Sequence, residues 1–480
     1  MISGFAALYA GLENAAAFDG IQAADADGPL VAYTTKLAPM GKGSGKKQVA
    51  LGRVFSGTVR PGDRVTMITQ HGQRMECRIE RVKMMMVDKM IDLPAAPAGS
   101  LIGLVGIEYV GTVAGDSTTP GMQDLSLAVS PVVSVAVRAK KPADTSRVVE
   151  KLQVLARTDQ SLLLEHDRET GEHCLVGAGE LHVEAAIHDL QELLPDSVQV
   201  IVGEPAVRCR ETVESVGPIC LAKSGNKHNR IFARAVPLSA EVEELLESGA
   251  LSEQTEEKNR AEMLAERGWD RNEARRKVLR ISGNNILVDC TEGLDMQQVA
   301  EHLTSAFDQV TDAGVLTSSP VAAVRIELHD GTRWHKERTH RGPNQMVDPA
   351  RRAFLAAMLS AGPALREPIL ECKVQLPEAM AQKACSVLKQ RRGLITGYTM
   401  DRLVTVEGRI PVDESFGLAG ELRKETAGYA FPQCAFCEWK QIPGDALGAD
   451  NLASAMVNKT RARKGLSASL PKLSDLSDKL

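Results

Sequence analysis

Nowhere in the 480 residues does an apolar run reach the 18 or so needed to cross a membrane, so no membrane association is expected. The N-terminal MISGFAALYAGLENAAAF lacks a basic start and carries Glu13, which argues against a secretory signal. Aromatic residues make up only 4%, so a nucleic-acid contact here would rest on charge and backbone more than on stacked rings. Neither sign of charge dominates: the formal net charge is −5, which excludes a uniformly basic binder but not a local basic patch. The nine cysteines are odd in number and have no framework spacing, which suits a reducing compartment and predicts a cytoplasmic protein. Cys434 and Cys437 form the one C-x-x-C pair, half of what a tetrahedral zinc site requires, so no metal is expected.

Two further absences bear on nucleotides. Residues 40–48, MGKGSGKKQ, have the glycines and lysines of a phosphate loop, yet Lys47 stands where the magnesium-binding hydroxyl belongs and Met40 where the first glycine belongs. VAYTTKLAP before it and VALGRVFSG after it both have strand character, so no helix N-terminus follows to receive an anion. Asn226-Lys227-His228-Asn229 resembles the guanine-reading N-K-x-D motif, but the amide of Asn229 cannot present the two acceptors a carboxylate would. No cofactor is therefore expected on this chain.

What is present is organised in blocks. Residues 29–120 hold short β-rich runs separated by glycine and proline, the pattern of a small β-barrel, with Met84–Met86 and Met90 expected in its core or at its edge. Between 121 and 210 the order is β-α-β-β-α-β: VVSVAVRAK, a helix with Val148, Val149, Leu152 and Leu155 on one face, strands near LLLEHD and HCLVGAG, a second helix, then VQVIVG. The same order returns over 366–438, where Leu370, Cys372, Val374 and Leu376 alternate with polar residues and EAMAQKACSVLKQRRG follows as a helix. The expected fold class is therefore multidomain α+β: a β-barrel, then two split-βαβ (ferredoxin-like) domains flanking an elongated α+β domain. Within 211–365 a charged helical stretch is expected from Ser239 to about Arg280. LASAMVNKTRARKG is a basic helix candidate, and KLSDLSDKL a polar tail with the composition of a disordered end.

Residues 331–352, GTRWHKERTHRGPNQMVDPARR, carry six Arg and Lys against Glu337 and Asp348. Pro343 and Pro349 are expected to keep this segment out of a continuous helix, leaving either a basic loop suited to phosphate backbones or a merely solvated surface. His335 and His340 have no adjacent nucleophile, paired carboxylate or metal-binding motif to give them a catalytic role.

The long motifs GEHCLVGAGELHVE (171–184), SGNKHNRIF (224–232), THRGPNQ (339–345), ARRAFLAAMLSAGPALREPI (350–369), PVDESFGLAGELR (411–423) and FPQCAFCEW (431–439), with the terminal DKL, closely resemble eukaryotic elongation factor 2, from about Ala7 to Leu480. The resemblance implies domains at 29–120, 121–210, 211–365 joined by 439–480, and 366–438, with 1–28 a remnant linker to a GTPase domain that this chain lacks. It implies a role in ribosomal translocation with the ribosome (rRNA, tRNA, mRNA) as partner. GTP and Mg²⁺ are used by the full-length family, and no GTPase activity is expected of this chain alone. His340 falls at the position the family converts to diphthamide. His335, Arg341, Gly342 and the loop Asn226, Lys227, His228, Asn229 and Arg230 match the decoding-site tip. The turn departs from the family pattern, with Pro343 and Asn344 where glycines are usual, one extra residue before His335, and Glu337 in place of an aspartate. Three alternatives stand beside a translocase seen from its second half: one chain of a split factor with a separate GTPase chain, a non-catalytic ribosome-binding fragment, and a paralogue serving ribosome maturation or the spliceosome.

Overall fold

The structure is a computed structural model that describes residues 24–39, 48–69, 73–86, 89–119, 121–122, 131–159, 161–166, 172–195, 197–253, 255–292, 299–335, 337, 342–400 and 402–479. It divides into two compact units: Met1–Ala206 with Phe416–Glu421 and Gln433–Phe436, and Val207–Ser415 with Leu422–Pro432 and Cys437–Leu480. The fold is mixed α+β with several separate sheets, as the patterning predicts. Among the described residues no helix is long and apolar enough to cross a membrane.

The first unit opens with β1 (Val31–Pro39), β2 (Gln48–Ser56), β3 (Thr58–Val59), β4 (Arg64–Thr69), β5 (Arg74–Arg78), β6 (Arg81–Met86), β7 (Lys89–Leu93), β8 (Ala96–Pro97), β9 (Leu101–Val105) and β10 (Gly111–Ala114). Eight of these form one sheet in the order β5-β4-β10-β1-β2-β9-β6-β7, and β3 pairs with β8. Alternating Val, Ile, Leu and Met side chains, among them Leu37, Val54, Met67, Ile79 and Leu104, make its core. Glycine is required at Gly106, where φ is 101° and a Cβ would meet the carbonyl of Arg78. The glycine–lysine stretch 40–47 joins two antiparallel strands, as expected from its flanks, and itself lies outside the described residues. Met84, Met85 and Met86 lie on the edge hairpin β6–β7, the edge placement among the two expected, and all three are exposed there rather than packed.

The first split-βαβ unit follows: β11 (Val133–Ala139), α1 (Thr145–Thr158), β12 (Leu163–His166), β13 (His173–Gly177), α2 (Glu180–Leu193) and β14 (Val200–Val202). The order β12-β13-β11-β14 is antiparallel throughout, and β15 (Ala206–Val207) also pairs with β11. Val148, Leu152 and Leu155 of α1 meet Ala186 and Leu190 of α2 over Val137 and Leu175.

Just past α1, Asp159 lies 3.4 Å from His182 Nε2, accepts hydrogen bonds from the Ser161 hydroxyl and N–H at 2.5 and 2.9 Å, and pairs with Lys36 Nζ at 3.2 Å. His182 first, then Ser161 and Lys36, hold its carboxyl well below the usual carboxylate range, against the upward push of burial. The contribution is therefore fully present above the unfolded carboxylate pKa of about 4 and is lost as pH falls below it. Asp159→Asn should lower the thermal midpoint near neutrality, and the gap from the parent protein should close below about pH 4. Melting curves of both proteins across this range check the prediction, and a gap that stays constant would contradict it.

The second unit contains β16 (Arg210–Val213), β17 (Cys220–Lys223), β18 (Arg230–Pro237), α3 (Ala240–Glu247), α4 (Glu257–Ala265), β19 (Val278–Ser282), β20 (Asn285–Asp289), α5 (Ala300–Asp312), β21 (Val324–Leu328) and α6 (Pro343–Ser360). The sheet β17-β18-β21-β20-β19 is antiparallel except for β20 and β21, whose parallel pairing needs the crossover that α5 supplies. The charged stretch after Ser239 holds α3, α4 and a π-helical turn at Glu273–Lys277, and gives way to β19 at Val278.

β22 (Pro363–Leu376), α7 (Glu378–Gln390), β23 (Leu394–Met400), β24 (Val404–Pro411), α8 (Val412–Ser415), α9 (Leu418–Glu425) and β25 (Phe431–Gln441) then repeat the split-βαβ order, with β25 and β16 both on β22. α10 (Leu452–Arg463) and α11 (Leu473–Leu476) end the chain. Ile442, Ala453, Met456 and Val457 join one core with Phe307, Phe354, Ile326 and Leu365.

Residues 472–479 of the polar tail are held rather than loose, which corrects the reading from its composition. The Asp478 N–H donates to the Leu221 carbonyl at 2.7 Å, and Asp478 Oδ2 accepts from the Lys223 N–H at 2.7 Å. Edge strand β17 thus gains a partner it would otherwise lack.

Cys434 and Cys437 sit three apart on β25, an odd spacing that sends their side chains to opposite faces of the strand and prevents them from gripping one ion together. Among the described residues no cluster of three or more His, Cys, Asp or Glu could hold a metal. Burial pushes the Cys209 thiol up to about 12, whereas Cys437 is exposed. Brief alkylation of the folded protein near pH 7.5, followed by peptide mass spectrometry, should label Cys437 and spare Cys209 and Cys372. Rapid labelling of Cys209 would show that this core opens readily.

Candidate nucleic-acid interface

Three pieces of the second unit converge: the turn between β17 and β18, the chain after β21, and the start of α6. In the turn, the Lys227 N–H donates to the Ser224 carbonyl at 2.7 Å, and Lys227 takes the left-handed conformation with φ 61°. Asn226 Oδ1 accepts from the Ser224 hydroxyl at 2.5 Å and from the His228 N–H at 3.1 Å. This local bonding holds Lys227 and His228 at the surface, while Asn229 points inward and is 0% exposed.

Beyond the turn, Arg230 and Arg333 exchange backbone hydrogen bonds at 2.8 and 2.9 Å. That bridge carries the chain after β21 alongside β18, and it brings the His335 ring to 5.1 Å from that of His228. Trp334 packs on the main core, so the neighbouring residues have a fixed base. Among the described residues, Arg230 Nε and Gln345 Oε1 are buried without a hydrogen-bond partner.

Helix α6 starts at Pro343 with Gly342 as its N-cap, and it continues through Pro349 to Ser360. The expectation that the two prolines exclude a continuous helix is therefore corrected. Pro343 occupies the first helical position, where a missing N–H costs nothing and a fixed φ suits the helix. Pro349 is interior, and its effect on the ladder is taken up below.

Of the residues singled out from the sequence, Asn226, Lys227, His228, Asn229, Arg230, His335 and Gly342 fall in this region, where Asn229 links the turn to His335 and to the start of α6. His340 and Arg341 lie outside the described residues, as do Lys336 and Arg338. Arg333 and Arg351 are exposed. Arg352 pairs with Asp478 at 3.3 Å, so its charge is partly committed within the fold. Ser224 and Gln345 stand in the quoted motifs, but the sequence does not single them out, because their roles depend on tertiary hydrogen bonds. One local signal marks Gln345, its place four residues before a proline.

The three pieces form one hydrogen-bonded projection on which Lys227, His228 and Arg333 are exposed. Family models identify the domains around it. Residues 47–118 match "Elongation factor Tu domain 2", 129–203 match "Elongation Factor G, domain III", 250–362 match "Elongation factor G, domain IV", and 364–449 match "Elongation factor G C-terminus". Together they show that this chain is an elongation factor G-like C-terminal part; the chain after β21 and the start of α6 fall within the domain IV match, and the 224–230 turn precedes it.

Proposed function

We propose that this chain is the ribosome-engaging half of an elongation factor 2-like protein and acts in the translocation of tRNA and mRNA. The observation that carries the reading is the succession of four elongation-factor domains, with His335 and the start of α6 inside the match to domain IV and the 224–229 turn bonded to both. In this reading Lys227, His228 and His335 face RNA, and His340 and Arg341 lie in the short segment between His335 and Gly342. His340 is the proposed site of histidine modification. GTP and Mg²⁺ would be handled by a GTPase domain or a separate GTPase chain, because residues 40–48 lack the phosphate-loop pattern. The cytoplasm is the proposed location.

The test is sedimentation of the purified chain with ribosomes at rising salt, together with GTP turnover in the same mixtures. Binding should fall steeply with salt, as expected when Lys and Arg displace counterions from phosphates, and turnover should stay at the ribosome background. Failure to sediment, or robust turnover by the chain alone, would refute this reading.

A further inference from the structure

α6 contains a gap in its own hydrogen-bond ladder. The carbonyl of Gln345 would ordinarily receive the N–H four residues later, but that residue is Pro349, which has none. A carbonyl left this way inside a protein must find a donor elsewhere. It finds one 116 residues away in sequence, where Asn229 Nδ2 donates to it at 3.1 Å. Asn229 Oδ1, on the other side of the same amide, accepts the His335 N–H at 2.9 Å. Only this orientation of the amide satisfies both neighbours. The backbone of Asn229 is committed as well: its N–H donates to Ser224 Oγ at 3.0 Å and its carbonyl accepts from the Ser224 N–H at 3.0 Å.

We infer that Asn229 is a positioning residue for the projection. It locks the 224–229 turn, residue 335 and the first turn of α6 into one geometry. The inference rests on the ribosome-facing reading above. The chemistry selects asparagine because the site needs one donor and one acceptor on a single short planar group. Aspartate offers acceptors alone and would set an oxygen against the Gln345 carbonyl. Pro349 is the other half of the device, since it frees the carbonyl that the amide captures.

Two measurements on the whole chain test this. On ribosomes, chemical probing of ribosomal RNA reads which nucleotides the chain protects. Asn229→Ala should weaken the protections contributed by the projection about tenfold, the scale of a lost buried hydrogen bond, and leave those from the other domains in place. A residue that served only general stability would lower all protections together. In solution, amide exchange of the Asn229→Ala chain should quicken at His335 and at the start of α6. Adding Pro349→Ala, which supplies Gln345 with a backbone N–H, should restore slow exchange at α6 but not at His335. Should Asn229→Ala not fold, the isosteric Asn229→Asp takes its place with the same expectations, except that His335 stays protected. Unchanged exchange at both places overturns the inference whatever the ribosome data show. Altered exchange with uniformly reduced protections overturns it as well. Altered exchange in a chain whose parent does not bind ribosomes overturns the functional reading and leaves Asn229 a purely structural clamp.

Discussion

Glu211→Ala should destabilise the second unit by about 4 kcal/mol or more, on the scale of breaking a buried charged network. Glu211 is 0% exposed on β16, and its carboxylate accepts from the N–H groups of Leu316, Thr317 and Ser319 at 2.7, 2.7 and 3.1 Å and from the Thr317 hydroxyl at 3.1 Å. Burial pushes its pKa upward, and these four donors oppose the rise. The carbonyl side of the same 316–319 loop is held from α10 and its C-cap. Arg461 donates to the Leu316 carbonyl, and Lys464 Nζ donates to the Thr317 and Ser318 carbonyls at 2.9 and 2.7 Å. Alanine would strand three buried N–H groups at once, each worth about 1–3 kcal/mol, whereas Glu211→Gln keeps one acceptor and should cost roughly half as much. Denaturant unfolding of both variants gives the comparison. A loss under about 1 kcal/mol for alanine would mean that the loop finds other partners.

Phe354→Ala is the second large effect, expected at about 3–5 kcal/mol for a fully buried aromatic truncated in a core that cannot collapse around it. Phe354 and Phe307 are both 0% exposed and meet edge-to-face, with ring centroids 6.5 Å apart and planes at 84°. Phe354 lies on α6, the helix whose first turn Asn229 holds, so its packing sets where that helix sits under the projection. Phe354→Leu should recover more than half of the loss. Thermal melts of the two variants decide the point, and equal midpoints for Ala and Leu would contradict the packing argument.

The fold was legible wherever local pattern and tertiary role agree. The alternation around Leu370–Leu376 and the helical spacing of Val148, Leu152 and Leu155 each mark a buried face, and β22 and α1 bury those faces. Legibility failed where a distant residue supplies what local chemistry lacks. Pro349 has the local signature of a helix breaker, and the amide that answers it comes from the β17–β18 turn. KLSDLSDKL carries Leu473 and Leu476 at helical spacing, and Leu476 packs on the main core, but nothing nearby in sequence signals that Asp478 will bond β17 about 250 residues earlier. Asn229 illustrates both sides. Its place in an NKHN turn was plain, but its burial and its bond to Gln345 depend on tertiary structure.

The most direct test of the central claim is an electron cryomicroscopy reconstruction of the purified chain bound to ribosomes. The account predicts density for the 224–229 turn and the start of α6 against RNA, with Lys227, His228 and His335 at the contact. Density that places this end of the domain in solvent, with the chain held by another face, would contradict it.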